Sequence, residues 1–578
     1  MRVVASLHTL ALVLGLAGLA LAGCAKAATT RTATEPTLAP TAAPTAPGAS
    51  SAPLGPASTP VDPFALSGAF GQEELPTTLP DVPLRKLAFP RLGPGVPAAP
   101  KSCDAFAKRK PAGSLRCTDR GSALDAIAQA MTEPDVARRD ALLLDLERCA
   151  DLPVGLVRAL RADLAPTECG DALVEALLGT PAKGMTGAIY DALYGLGLAA
   201  RLSRTVSDPP KLAPPYDKQR VKEFHEGPLR AWGLSNAKAI EDLAKLGAGL
   251  VHYGKAVAAV EAGMADMRFV VVVREVPVPD EFRADRELLE AYYGSLERAL
   301  DPRKDRGRDA ALVGLRGLAL VGVITDQRVK RARQLLSQVY GGRPIDALDA
   351  LLLPAMAEPT PSTREQKLAA RLPTFYAGQL LEPSVATEPG VLAQLARRGL
   401  PLPQRIALRS AELTPELRLL LGRARLDFGR TYWRASDFDE AVATLGTWPK
   451  GVARPPEATF LLALGLGLRG GPADAAALIR KAPIDSLGIG NTAALDSLAA
   501  APGGAELGGE AELDAALIRQ LAVSPAAGVE IWRDLVHRYQ RAMGRLRDPG
   551  ARVAAAARFD EALATVKAIE SRQATPKP

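Results

Sequence analysis

The chain has 578 residues, and its 71 Lys and Arg against 64 Asp and Glu leave a net charge of +7. That balance is too even for a dedicated polyanion binder, and 47% hydrophobic residues exclude a wholly unfolded chain. The length exceeds what one core usually serves, so several domains or a continuous solenoid are expected. With aromatic residues at 4% and heavy use of Ala, Leu and Arg, the composition favours helix over strand.

The first element is an export signal. Arg2 precedes an apolar run from Val3 to Gly23, broken only by Ser6, His8 and Thr9. A charged start, an apolar core and a small-residue end define such a segment. About 20 apolar residues would also suffice to cross a bilayer, but the small-residue ending argues for cleavage. Leu21-Ala22-Gly23-Cys24 resembles the lipobox of bacterial lipoproteins. The resemblance implies removal of residues 1–23, a diacylglyceryl group on the Cys24 thiol and, usually, a third acyl chain on the new amino terminus. At about 0.8 kcal/mol per buried methylene, two or more chains hold a protein stably on a membrane. It further implies a cell-envelope address facing the periplasm. Ala25 and Lys26 lack the Asp that retains many lipoproteins in the inner membrane, so the outer membrane is favoured.

Residues 24–63 follow as a linker of Ala, Thr, Pro, Ser and Gly, typified by Thr37-Leu-Ala-Pro-Thr-Ala-Ala-Pro-Thr-Ala-Pro47. So few large apolar groups cannot offset chain entropy, which predicts a disordered tether on the order of 100 Å long. Residues 64–101 form a second Pro-rich stretch. Its Leu84, Leu87, Phe89 and Leu92 suggest ordered coil lying along a folded body.

Residues 102–180 hold the remaining cysteines: Cys103, Cys117, Cys149 and Cys169. An even, clustered set in an oxidising compartment reads as two disulfides. Three connectivities are possible. Short loop closure favours Cys103–Cys117 with Cys149–Cys169. The chain has no C-x-x-C, and its histidines are His8, His225, His252 and His537, a poor set for a metal site.

Helical spacing dominates residues 181–400, with runs at 187–206, 237–273, 285–300, 309–324, 327–340 and 345–354. Pro and Gly punctuation predicts antiparallel helix pairs. Phe269-Val-Val-Val-Val273 has strand propensity but continues a helical pattern, so it reads as a buried helix end or an isolated extended piece. The basic clusters Lys108-Arg-Lys110 and Arg328-Val-Lys-Arg-Ala-Arg333 read as solvated faces.

In residues 401–578, Thr414-Pro415-Glu416 is a helix start, and Ser436-Asp-Phe-Asp439 opens a second helix. Phe428, Gly429, Tyr432, Phe438, Ala441 and Leu445 fall in a pattern that resembles the tetratricopeptide repeat. Gly429 and Ala441 would let the two helices approach, while Tyr432 and Phe438 fill the turn. Arg425 stands where that pattern prefers Trp, and Pro449 comes early. Leu464, Gly465, Leu468, Ala477 and Pro483 follow at nearly the family's roughly 34-residue period. Phe559-Asp-Glu-Ala562-Leu-Ala-Thr-Val566 echoes the octapeptide that begins at Phe438, although the helix before it does not match. The fold class expected is therefore all-α, an antiparallel helix-pair array or solenoid behind a disordered tether.

The catalytic motifs fail on context. Gly465-Leu-Gly-Leu-Arg-Gly470 ends an apolar helix rather than following a strand. Ser235-Asn-Ala-Lys238 lacks the companion elements of penicillin-binding enzymes, and Ser235 reads as a helix cap. His225-Glu226 lacks a second His. The function expected is a non-enzymatic, lipid-anchored scaffold, without cofactor, metal or nucleic acid, that binds an envelope protein or peptide. The alternative is a peptidoglycan or glycan binder, or an enzyme with an unrecognised site.

Overall fold

Apolar residues at three-and-four spacing resolve into helices. The structure is a computed structural model that describes residues 62–66, 82–340, 343–354, 356, 359–400, 404–405, 408, 412–469, 492–501, 507–523 and 527–574. Among the described residues there is no strand. Residues 1–61, with Cys24 and all but the last two residues of the expected linker, lie outside them.

The cysteine-containing unit is built on α1 (Arg120–Ala130), α2 (Val136–Leu146) and α3 (Leu156–Leu164). Its disulfides join Cys103 to Cys169 and Cys117 to Cys149, correcting the neighbour-to-neighbour pairing. The reason is topological. Cys117 precedes α1 and Cys149 follows α2, so the open end of this antiparallel pair brings them together. Cys103 and Cys169 each end a short 3-10 turn, and their bridge encloses the Cys117–Cys149 loop in sequence. Inside, Arg161 donates to Asp140 at 2.7 Å and to Glu147 at 2.5 Å.

The central bundle comprises α4 (Gly187–Arg204), α5 (Arg230–Ala248), α6 (His252–Arg274), α7 (Arg286–Leu320) and α8 (Gln327–Tyr340). The other four pack around α6, which is buried on nearly all sides. Its Ala256, Ala259, Ala262 and Gly263 permit this. A Cβ at Gly263 would collide with the α7 backbone at Gly307 and Ala311. The Phe269–Val273 run is helical and belongs to α6.

Three boundaries differ from the sequence reading, the simplest being the run at 345–354, whose helix spans Arg343–Ala350 and leaves 351–354 non-helical. Residues 237–273 are not one helix. The chain breaks before His252, which adopts φ 47°, and the Asp191 carboxylate accepts the Val251 N–H at 2.9 Å to hold the break. Conversely, the runs at 285–300 and 309–324 merge into one helix, α7, which ends at Leu320 and passes through Pro302. An interior proline costs roughly 3 kcal/mol. Here Arg303 and Arg306 bind the buried Asp266 of α6 at 2.7 and 2.6 Å, and that packing holds the helix together.

The segment 82–98 is a non-helical strap across α4, and residues 67–81 of the coil expected over 64–101 lie outside the described residues. Tyr190 Oη accepts the Leu87 N–H and donates to the Leu87 carbonyl, and Tyr194 Oη donates to the Ala88 carbonyl at 2.7 Å. Arg201 donates to the Pro90 carbonyl and stacks over Phe89, and Arg204 donates to the Pro97 carbonyl. Before the strap, Phe64 is buried beside Gly247 of α5.

Beyond the bundle come α9 (Arg343–Ala350), α10 (Arg364–Arg371), α11 (Thr374–Leu380) and α12 (Pro389–Arg398). Helix pairs then follow: α13 (Pro415–Tyr432) with α14 (Ala435–Gly446), then α15 (Pro456–Leu468) and α16 (Ala493–Ala500). The chain ends in α17 (Gly508–Ala522), α18 (Val529–Arg545) and α19 (Pro549–Ala574). Thr414 caps α13 through the Leu417 N–H, with Pro415 at the first helical position, as its sequence indicated.

Candidate functional site

The start of α8 and the end of α13 meet without closing. A cleft of about 580 Å³ opens there, lined by Thr325, Asp326, Gln327, Lys330, Arg333 and Gln334 from the α8 side. Ile324 and Val329 add apolar surface, and Asp349 and Thr431 complete its wall. Tyr432 fixes the junction, because its hydroxyl donates to the carbonyl of Val323. Arg333 crosses the same junction, donating to the Thr431 carbonyl and to Asp349 while its guanidinium lies 4.7 Å from the Trp433 ring centre.

Trp433 ends α13 at φ 53°, in the left-handed region. For a bulky residue that conformation costs on the order of 1–2 kcal/mol, so packing must offset it. Trp433 is 1% exposed and stacked under Arg333, which supplies the compensation. Trp433 does not itself line the cleft, but it backs the junction through Arg333, which does.

Behind the cleft lies a buried polar hub. Arg328 donates to Asp163 of α3 at 2.5 Å and to Asp326 at 3.2 Å. The Tyr253 hydroxyl donates to the same Asp163 at 2.7 Å, and its ring stacks on Phe375 with centres 4.4 Å apart. Burial raises the Asp326 carboxyl above its ordinary range, and Arg328 opposes that rise. Burial likewise pushes the Tyr253 phenol up. The hub thus joins the cysteine-containing unit, α6, α8 and α11.

Chemically, the cleft offers mixed hydrogen bonding. Lys330 is exposed and makes no ion pair with a described residue, while Gln327, Gln334 and Thr325 add neutral donors and acceptors. Such a wall suits the alternating N–H and C=O groups of a peptide or the hydroxyl and acetamido groups of a glycan. Among the described residues no group of three His, Cys, Asp or Glu could hold a metal ion, and no helix is long and apolar enough to cross a membrane.

The residues singled out in the repeat pattern pack as one interface. Phe428, Tyr432, Phe438, Ala441, Leu445 and Leu464 are buried. A Cβ on Gly429 would overlap the Phe438 ring, and one on Gly465 would press on Val442 of α14 at 2.9 Å. Arg425, the departure from the pattern, bridges the pair by donating to the Thr444 hydroxyl at 2.5 Å and to the Glu440 carbonyl at 3.0 Å. Ala477 and Pro483 lie outside the described residues. Ala562 and Val566 are buried, but Phe559 is half-buried in the interior of α19, not at a helix start.

Two sequence readings are overturned. Ser235 is no cap but an interior residue of α5, because the helix begins upstream and passes through a π turn at His225–Leu229. The 328–333 cluster is not wholly a solvated face, since Arg328 and Arg333 are each 5% exposed while Lys330 and Arg331 face water. Val329, Ala332 and Leu336 share the inward side with the two buried arginines, and that spacing was the available signal. Asp163, Tyr253 and Trp433 left no comparable trace. Compared with known proteins, the chain matches no family model, no curated protein and no solved structure.

Proposed function

We propose that this protein is a lipid-anchored scaffold of the cell envelope, and that the cleft between α8 and α13 receives a peptide segment of another envelope protein. The cleft itself carries the reading: an open, mixed-polarity wall at a junction held by Tyr432, Arg333 and a strained Trp433. The lipobox-like ending at Cys24 and the Ala/Thr/Pro linker support the anchored address, with the outer membrane preferred.

The test is photo-crosslinking in intact cells from probes placed at Lys330 and Gln334, with Val553 as control because it is 72% exposed on the distant α19. Protein adducts at the cleft positions and not at the control are expected. Equal labelling at all three positions would sink the proposal. Adducts to peptidoglycan fragments instead would favour the glycan-binding alternative, which the amide and hydroxyl groups of the wall also suit. Cys24→Ser is expected to move the protein out of the membrane fraction, and retention there would refute the anchor.

A further inference from the structure

After α9 the chain runs without helix through Leu351, Leu352, Leu353 and Pro354. Two helices of the C-terminal array hold this segment by its main chain. Arg430 of α13 donates to the Leu351 carbonyl at 2.6 Å, and Arg423 of α13 donates to the Pro354 carbonyl at 3.1 Å. From the other side, Asp514 of α17 accepts the Leu352 N–H at 2.9 Å. Leu351 is 2% exposed, while Leu352 and Leu353 are half-buried. Donors aimed at backbone carbonyls, an acceptor aimed at a backbone N–H and apolar contacts between them are the means by which proteins read a peptide main chain.

The fit is incomplete. Asp514 is fully buried, yet its second carboxylate oxygen has no hydrogen-bond partner. Burial pushes this carboxyl well above its ordinary range, with only Leu352 and the nearby Arg430 opposing. A buried acceptor left unmade destabilises the state that contains it. The segment also adjoins the cleft, because Asp349 lines the cleft wall and Thr431 follows Arg430.

We propose that the surface between α13 and α17 is a peptide-binding groove occupied in cis by the chain's own Leu351–Pro354 segment. A partner enters by presenting an apolar peptide strand that displaces it. The strand would extend from the cleft, so the inference deepens the scaffold reading and rests on it for the existence of a partner. A cis segment competes at an effective concentration near the millimolar range, so the free groove is reached only when that segment is weakened.

The probe is a fluorescein-labelled peptide copying Leu348–Met356, added to the full chain. Leu351→Ser removes a buried side chain of the cis segment, and Leu352→Pro separately removes the N–H that Asp514 accepts. Each variant is expected to keep wild-type helicity by circular dichroism and to bind the peptide, by fluorescence anisotropy, at least about ten-fold more tightly than wild type. Adding Arg430→Gln is expected to abolish that gain. Folded variants that bind no tighter than wild type would overturn the proposal, as would a gain that survives Arg430→Gln. Failure of both variants to fold would also overturn it, because the segment would then be permanent core. The probe is the chain's own peptide, so this result and the crosslinking result can fail independently.

Discussion

His225 shows how one residue ties a local backbone irregularity to a pH response. Pro228 has no N–H to return to the preceding turn, and its ring would clash in a regular helix, so the chain widens into the π turn at His225–Leu229. The widened turn tucks the imidazole against Phe224 and leaves Nε2 buried without a hydrogen-bond partner. Burial alone lowers the His225 pKa to about 4. The unfolded chain takes up this proton near pH 6.5, ahead of the folded one, so stability is intact above that pH and is lost as pH falls towards 4. His225→Leu is therefore expected to lose roughly 2 kcal/mol less than wild type between pH 7 and pH 4.5. Urea denaturation at the two pH values measures the difference, and parallel losses in the two proteins would refute the argument.

At the scale of elements, the strap is the clearest case of a segment without secondary structure being held by side chains alone. Its carbonyls at Leu87, Ala88, Pro90 and Pro97 are each bound by a tyrosine or arginine of α4. Tyr194→Phe with Arg201→Ala removes two of these donors and the stack on Phe89. The double variant is expected to expose the Lys86–Leu87 bond to trypsin at least about ten-fold faster than wild type, since local opening follows the few contacts that hold a segment. Equal cleavage rates would show that Phe64 and the apolar contacts suffice. Much of this level was legible beforehand. Of the four apolar residues read as ordering the strap, Leu87 and Phe89 pack while Leu84 and Leu92 are exposed, and Thr414-Pro415 marked the start of α13, because capping and apolar spacing are local signals. What escaped was long-range. The continuity of α7 through Pro302 depends on Asp266 of another helix, and the cysteine pairing depends on which helix ends lie side by side. The strap's own donors sit about a hundred residues downstream, where nothing in the local pattern marks Tyr190 or Arg201 as partners for a coil.

Across the molecule, buried Arg–Asp pairs recur between packed elements: Arg161 with Asp140, Arg204 with Asp171, Arg303 with Asp266, Arg328 with Asp163, and Arg405 with Asp437. Such pairs add little net stability over apolar packing, but breaking one leaves an uncompensated charge. Arg328 joins two units, since Asp163 of the cysteine-containing unit and Asp326 and Tyr253 of the central bundle all reach its guanidinium. Its partner Asp326 lines the cleft. Arg328→Met fills similar volume but strands two carboxylates, and is expected to cost about 3–5 kcal/mol at pH 7.5. Without the guanidinium, the folded-state pKa of Asp326, already raised by burial, rises further. A raised carboxyl is tolerated while protonated and destabilises the fold as pH climbs through its folded value, so the deficit shrinks at pH 5. If the hub also couples the units, urea unfolding of the variant at pH 7.5 separates into two transitions while wild type shows one. A deficit that does not change with pH would mean the carboxylates find other partners when Arg328 is gone, and the hub would then be packing rather than electrostatics.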